Sequence, residues 1–143
     1  MTTESPVRST ARPRAPVMER GAAMTLAATE YARTATLFES LTPGQWALPT
    51  DCPGWDVRAV AGHVLGMMQM TATLPALARQ QMAAQKGSKQ TGKVMIDVLT
   101  ALQVAENASL SPAQVVIAMR ATGPKAARLR RKMPAFEIGR AHV

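Results

Sequence analysis

His63 is the residue of this chain that is best placed to do chemistry. It lies beside apolar residues that recur at the spacing of one helix face, namely Val57, Val60, Ala61, Val64 and Met68. An imidazole near a core can ligate a metal or transfer a proton near neutral pH. The alternative, which spacing alone favours, is a hydrogen-bonded core or boundary histidine with a structural role.

A predicted turn determines where the histidine-bearing helix begins. Pro53 and Gly54 suit the two central positions of a type II turn, because proline presets the first φ and glycine tolerates the positive φ of the second. Asp56 can then cap the first free N–H groups of a helix that starts at Val57. Trp55, just before the cap, can pack against that helix as a hydrophobic staple.

Around this turn the chain resembles the N-terminal metal-binding domain of the mycothiol-dependent maleylpyruvate isomerase family. The resemblance covers residues 22–134 and depends on Trp46, the segment 49–55 with Cys52, Pro53, Gly54 and Trp55, the pair Val57 and Arg58, and His63. It implies an all-α fold, a DinB-like four-helix bundle. It also implies that His63 is the first of three protein ligands to a divalent metal, usually zinc.

The same resemblance implies a cofactor and a class of reaction. The open position of the metal would accept the thiolate of mycothiol or a similar thiol, so that the cofactor rather than Cys52 supplies the nucleophile. The parent protein is then expected to be an isomerase or a thiol S-transferase that acts on a small-molecule substrate. The sequence identifies neither that substrate nor the oligomeric state.

The other two metal ligands that the family uses are missing. They form a Glu-x-x-x-His pair, one helical turn apart, on a later helix. After His63 the acids are Asp97, Glu106 and Glu137, and the other imidazole, His142, lies five residues after Glu137 and outside that spacing. We therefore expect a C-terminally truncated bundle that lacks its last ligand-bearing helix and has no function as this fragment.

The two ends of the chain are expected to lie outside the fold. Residues 137–143 are what one obtains by translating GAGATCGGAAGAGCACACGTC, the start of a common sequencing-library adapter, so we interpret them as a non-native tail and exclude His142 as a ligand. Residues 1–17 are rich in Pro, Ser, Thr and Arg and are predicted to be disordered. A partial metal-binding domain remains at residues 18–136, and Met18 is an alternative start.

The composition favours one small helical domain. Aromatic residues make up 3% of the 143 residues, which favours helices over a sheet. Cys52 is the only cysteine, so an internal disulfide is excluded and a reducing cytoplasm is expected. We expect Cys52 to be buried as a small apolar side chain. No apolar run reaches the roughly 18 residues of a membrane span.

The net charge of +8 is concentrated in one segment. Residues 18–110 contain seven basic and seven acidic residues, whereas residues 111–136 contain six basic residues and no acid. The segment 125–132 could bind nucleic acid or an acidic partner, which would make the chain a non-enzymatic helical binding module. That is the alternative function, although a charge run of this kind is more often a solvated helix face.

Apolar spacing and capping residues predict the following helices. The first covers residues 19–41, and Thr42 with Pro43 opens one short turn that carries Trp46. The second covers residues 57–85 with a kink or break at Pro75, followed by a polar loop at 86–92. The third, at 94–105, is predicted to bury Met95, Val98, Leu99, Leu102 and Ala105, and a fourth starts at Ser111 and Pro112 and is interrupted at Gly123 and Pro124.

Overall fold

The computed structural model describes residues 18–133, and its regular elements are all helices. They are α1 (Arg20–Glu39), α2 (Pro43–Trp46), α3 (Val57–Met70), α4 (Leu74–Thr91), α5 (Met95–Asn107) and α6 (Pro112–Lys132). The all-α prediction is therefore confirmed. None of these helices is long and apolar enough to cross a membrane.

Helix α3 lies at the centre of the packing. It contacts α6 on one side and α5 on the other, while α1 packs on α6 and α4 packs on α5. The short helix α2 also rests on α3. Since α3 is enclosed from several directions, it buries residues on more than one face, Ala61 and Leu65 on one and Gly66 and Met70 on another.

The main core joins α1, α2, α3 and α6. Its buried members are Ala35, Phe38, Trp46, Ala61, Leu65, Met68, Val115, Val116, Met119 and Ala126. Trp46 of α2 is buried in this core, with its ring centroid 5.5 Å from that of Phe38. Helix α6 packs against the face of α1 that carries Phe38 and Tyr31.

The turn before α3 forms as the sequence predicts. Gly54 has a φ of +78°, and the Trp55 N–H donates to the Cys52 carbonyl at 3.0 Å. Asp56 caps α3, with Oδ1 accepting from the Ala59 N–H at 2.8 Å. Cys52, however, is exposed, so the prediction that it is buried is wrong. Its neighbours in the turn, Asp51, Pro53 and Gly54, are exposed as well.

The predicted second helix is two helices. Residues 71–73 separate α3 from α4, and Thr73 caps α4 by accepting from the Ala76 N–H at 3.2 Å. Pro75 therefore lies in the first turn of α4, where its missing N–H costs no helical hydrogen bond, instead of kinking a longer helix.

Two further boundaries differ from the sequence predictions. Residues 86–91 are not a loop but the last turns of α4, which ends at Gly92 with a φ of +71°. Their polar composition reflects a helix at the surface, where Lys, Gln and Ser are tolerated. Helix α6 runs through Gly123 and Pro124 without interruption. Gly123 is buried, and an added Cβ there would lie 3.1 Å from Cβ of Tyr31, so packing on α1 holds this segment helical.

Several predictions concern residues outside the described range. They are the disordered tail at 1–17, the adapter-derived tail at 137–143 with His142, and the last residues of the partial domain at 18–136.

The cap at Asp56 can be tested directly. Asp56→Ala should lower the free energy of unfolding by about 1 kcal/mol, because it leaves the first N–H groups of α3 without their acceptor. Urea denaturation followed by circular dichroism measures this loss. Asp51→Ala removes the same charge from an exposed position in the preceding turn and should change stability by less than about 0.5 kcal/mol. Equal losses in the two variants would contradict the capping role.

Candidate functional site

His63 lies on α3 at the boundary between core and solvent, on the side that faces α5. Its side chain is half-buried. The imidazole centroid is 5.4 Å from the ring of Trp55, and the two planes are inclined by 47°. Its Nδ1 is 2.9 Å from Oε1 of Gln103. The turn that positions α3 thus also supplies an aromatic wall for the histidine.

Behind His63, two buried glutamines continue the hydrogen bonding into the core. Nε2 of Gln103 donates to Oε1 of Gln80 at 2.9 Å, and Nε2 of Gln80 donates to the Gly66 carbonyl at 3.2 Å. Both side chains are fully buried, with 0% exposure. This relay of Gly66, Gln80, Gln103 and His63 joins α3, α4 and α5.

A second buried amide ties α5 to α3 one turn further along. Nδ2 of Asn107 donates to the Gly62 carbonyl at 3.1 Å and lies 3.1 Å from Oε1 of Gln69. Oδ1 of Asn107 in turn accepts from Nε2 of Gln69 at 3.2 Å. Buried polar groups need such partners because an unpaired one costs about 1 to 3 kcal/mol.

The relay forms where glycines let α3 and α5 approach closely. Gly62 and Gly66 are one turn apart on the face of α3 that meets α5. An added Cβ at Gly66 would lie 2.7 Å from Cγ and 3.1 Å from Cα of Gln103. The absence of a side chain at Gly66 therefore makes the space that Gln103 occupies.

Arg58 fixes the other end of the α3 contact. Its Nη2 donates to the Ala108 carbonyl at 2.9 Å and also to the Leu110 carbonyl, in the connection between α5 and α6. The arginine of the turn motif is therefore a structural anchor that holds the end of α5 beside the start of α3.

The described residues do not bring further metal ligands to His63. Within residues 18–133 no group of three His, Cys, Asp or Glu side chains could hold a metal ion. Glu106 is engaged by Arg79, with N to O distances of 2.5 and 3.0 Å. That hydrogen bond and the accompanying charge attraction raise the pKa of Arg79 above its usual value. Asp97 lies exposed in the first turn of α5.

The basic residues of the alternative binding segment lie on α6. Arg130 is placed over the Tyr31 ring, with 5.8 Å from its guanidinium carbon to the centroid. Arg120, nearer the start of α6, is paired with Glu39 of α1. The exposed members of the segment are Lys125, Arg128, Arg131 and Lys132. Two of the six basic groups on α6 therefore hold α6 to α1.

A comparison with known protein families tests the family resemblance seen around the turn at Pro53 and Gly54. The family model described as the mycothiol maleylpyruvate isomerase N-terminal domain matches residues 27–137. The chain belongs to this family. Membership in the mycothiol maleylpyruvate isomerase N-terminal domain family agrees with the all-helical fold, and the DinB-like bundle is confirmed with it. Neither a curated protein nor a solved structure matches the chain.

The sequence pattern did not indicate Gln103, which contacts His63, or Gln80 behind it. The buried residues of α5 are Leu99, Gln103 and Asn107, whereas Met95 and Ala105 of the predicted face are exposed. A signal was present, since these three residues recur every four positions. Gln103 and Asn107 are polar, however, so a buried face predicted from apolar residues alone does not include them.

The close approach at Gly66 generates a prediction. Gly66→Ala should destabilise the fold by about 1 to 3 kcal/mol, because the new methyl group would overlap Gln103 and push α5 away from α3. Gly44→Ala is the matched control, since nothing lies within 4 Å of the added Cβ there. Urea denaturation should show that Gly44→Ala leaves the free energy of unfolding unchanged or raises it slightly. Equal stability of the two alanine variants would show that the helices are further apart than the structure places them.

Proposed function

We propose that this chain is the metal-binding part of a mycothiol-dependent isomerase or thiol S-transferase, and that His63 contributes one ligand to a divalent metal, zinc, through Nε2. The observation that carries the proposal is the hydrogen bond between Nδ1 of His63 and buried Gln103. Nδ1 is held by Gln103, and within residues 18–133 Nε2 makes no hydrogen bond and can accept a ligand.

This arrangement is the usual one for a metal-binding histidine. Such residues almost always donate their second ring N–H to a carbonyl, carboxylate or water, which orients the ring and raises its basicity. Gln103 supplies an amide oxygen for that purpose at 2.9 Å. Family membership supports the same role for His63.

The donor set of the described residues does not fit a complete metal centre. A protein zinc site needs three or four ligands, and residues 18–133 contain no cluster of that size. The remaining ligands would have to come from outside this range. We therefore expect residues 18–133 by themselves to bind zinc weakly.

Family membership also supports the partners that we propose. They would be a low-molecular-weight thiol, mycothiol or a close analogue, and a small-molecule substrate. The thiolate would come from that cofactor and not from Cys52, and a reducing cytoplasm is the compartment in which such a thiol is maintained.

The metal role of His63 can be measured on this chain. The chain contains two histidines, so His142→Ala leaves His63 as the only imidazole and makes its NMR signals unambiguous. Adding Zn²⁺ should shift or broaden those signals at lower zinc concentration than is needed for a free histidine derivative. Chelator should restore them.

The control is His63→Gln in the same background. It should remove the zinc response while keeping the helical circular dichroism signal. If zinc leaves His63 no more affected than free histidine, the proposal is wrong. Tight, chelator-sensitive zinc binding that survives His63→Gln would place the site elsewhere in the chain.

A further inference from the structure

We propose that Gln80 and Gln103 are positioning residues that hold neutral His63 in one tautomer, with the proton on Nδ1 and the lone pair on Nε2. This inference deepens the proposed function, because a lone pair on Nε2 is what a metal would require. It also stands without any metal, since the tautomer is a property of the free protein.

The relay has a fixed direction because it starts from a backbone carbonyl. A side-chain amide presents a donor at one end and an acceptor at the other, and its partners determine which way it points. The Gly66 carbonyl can only accept, so Gln80 must present Nε2 to it. Oε1 of Gln80 is then the atom that faces Gln103.

Two thioether sulfurs near Gln103 favour the same orientation of its amide. Its Nε2 donates to Oε1 of Gln80, and the same nitrogen lies 3.4 Å from Sδ of Met67 and 3.9 Å from Sδ of Met70. A thioether sulfur has no hydrogen to donate and is a weak acceptor. If Gln103 were reversed, its oxygen would face two sulfurs and the oxygen of Gln80.

The direction of the relay decides the state of the imidazole. Oε1 of Gln103 is the atom 2.9 Å from Nδ1 of His63, and an amide oxygen can only accept. Nδ1 must therefore carry the proton. The other tautomer would place two lone pairs against each other beside a fully buried amide, a loss worth about tenfold or more in population. Free histidine in water prefers that other tautomer, so the relay reverses the intrinsic preference.

The burial of the relay supports a positioning role. Gln80 and Gln103 are both 0% exposed, and apolar side chains of similar size would fill the space without needing partners. A fully satisfied polar network instead specifies one arrangement of the groups at its end. The group at the end of this network is His63.

The test is the tautomer of His63 in the metal-free chain, measured with His142→Ala as background. Long-range ¹H–¹⁵N correlation distinguishes the protonated from the unprotonated ring nitrogen, at a pH high enough that the shifts no longer change. The chain that carries only His142→Ala should show the proton on Nδ1 of His63. Gln103→Met should return His63 to the preference of free histidine, a change of about tenfold or more in the ratio of tautomers.

Two further variants separate positioning from general destabilisation. Gln80→Met removes the anchor but leaves Gln103 beside His63, so it should give a mixture of tautomers. Gln69→Met removes an amide of the neighbouring network around Asn107 and should leave the proton on Nδ1. A proton on Nε2 in the parent chain would overturn the inference, as would Gln103→Met having no effect or Gln69→Met having the same effect.

Zinc titration of the same samples separates this inference from the proposed function. If both hold, Gln103→Met should need about tenfold more zinc than the parent chain for the same response of His63. If the tautomers follow the predicted pattern and zinc affects His63 no more than free histidine, the relay is supported and the metal role is wrong. If zinc binds His63 and the parent tautomer is the opposite one, the relay is overturned and the metal role stands.

Discussion

The close contact between α3 and α5 is the constraint on which the rest of this structure depends. Gly62 and Gly66 have no side chains on the face of α3 that meets α5, so α5 packs close to the backbone of α3 there. The side chains of α5 that lie opposite these glycines are the amides of Gln103 and Asn107. Each amide needs a hydrogen-bond partner across the contact. The relay to His63 and the Asn107 network both follow from this single approach.

The features that the sequence predicts well are those decided by neighbours within one turn. The Pro53 and Gly54 turn, the caps at Thr42, Asp56 and Ser111 and the helical class all form as expected. A cap requires only one side-chain oxygen and N–H groups two or three residues later, so local sequence contains the whole interaction. The low aromatic content of the chain likewise sufficed to indicate helices in place of a sheet.

The features that the sequence did not predict depend on distant parts of the chain. Gln103 appears polar in isolation, and its burial is explained only by Gln80, fourteen residues beyond Gly66, and by the glycine that makes room for it. For that reason the buried face of α5 was predicted only in part, since Leu99 is buried but Met95 and Ala105 are exposed. Cys52 was misplaced because burial follows from what surrounds a turn, which residue type does not determine. The continuous α6 likewise depends on the packing of Gly123 against Tyr31 of α1.

The relay supports the proposed ligand role of His63 over a purely structural one. A boundary histidine that only stabilises the fold needs one acceptor for one N–H, and a single backbone carbonyl would provide it. Here the acceptor is an amide whose own orientation is fixed by a second amide, which is fixed in turn by a backbone carbonyl. Two fully buried glutamines are a costly way to satisfy one proton, because each must find partners inside the core. They are an effective way to exclude the alternative tautomer, and only a role that uses Nε2 gains from that exclusion.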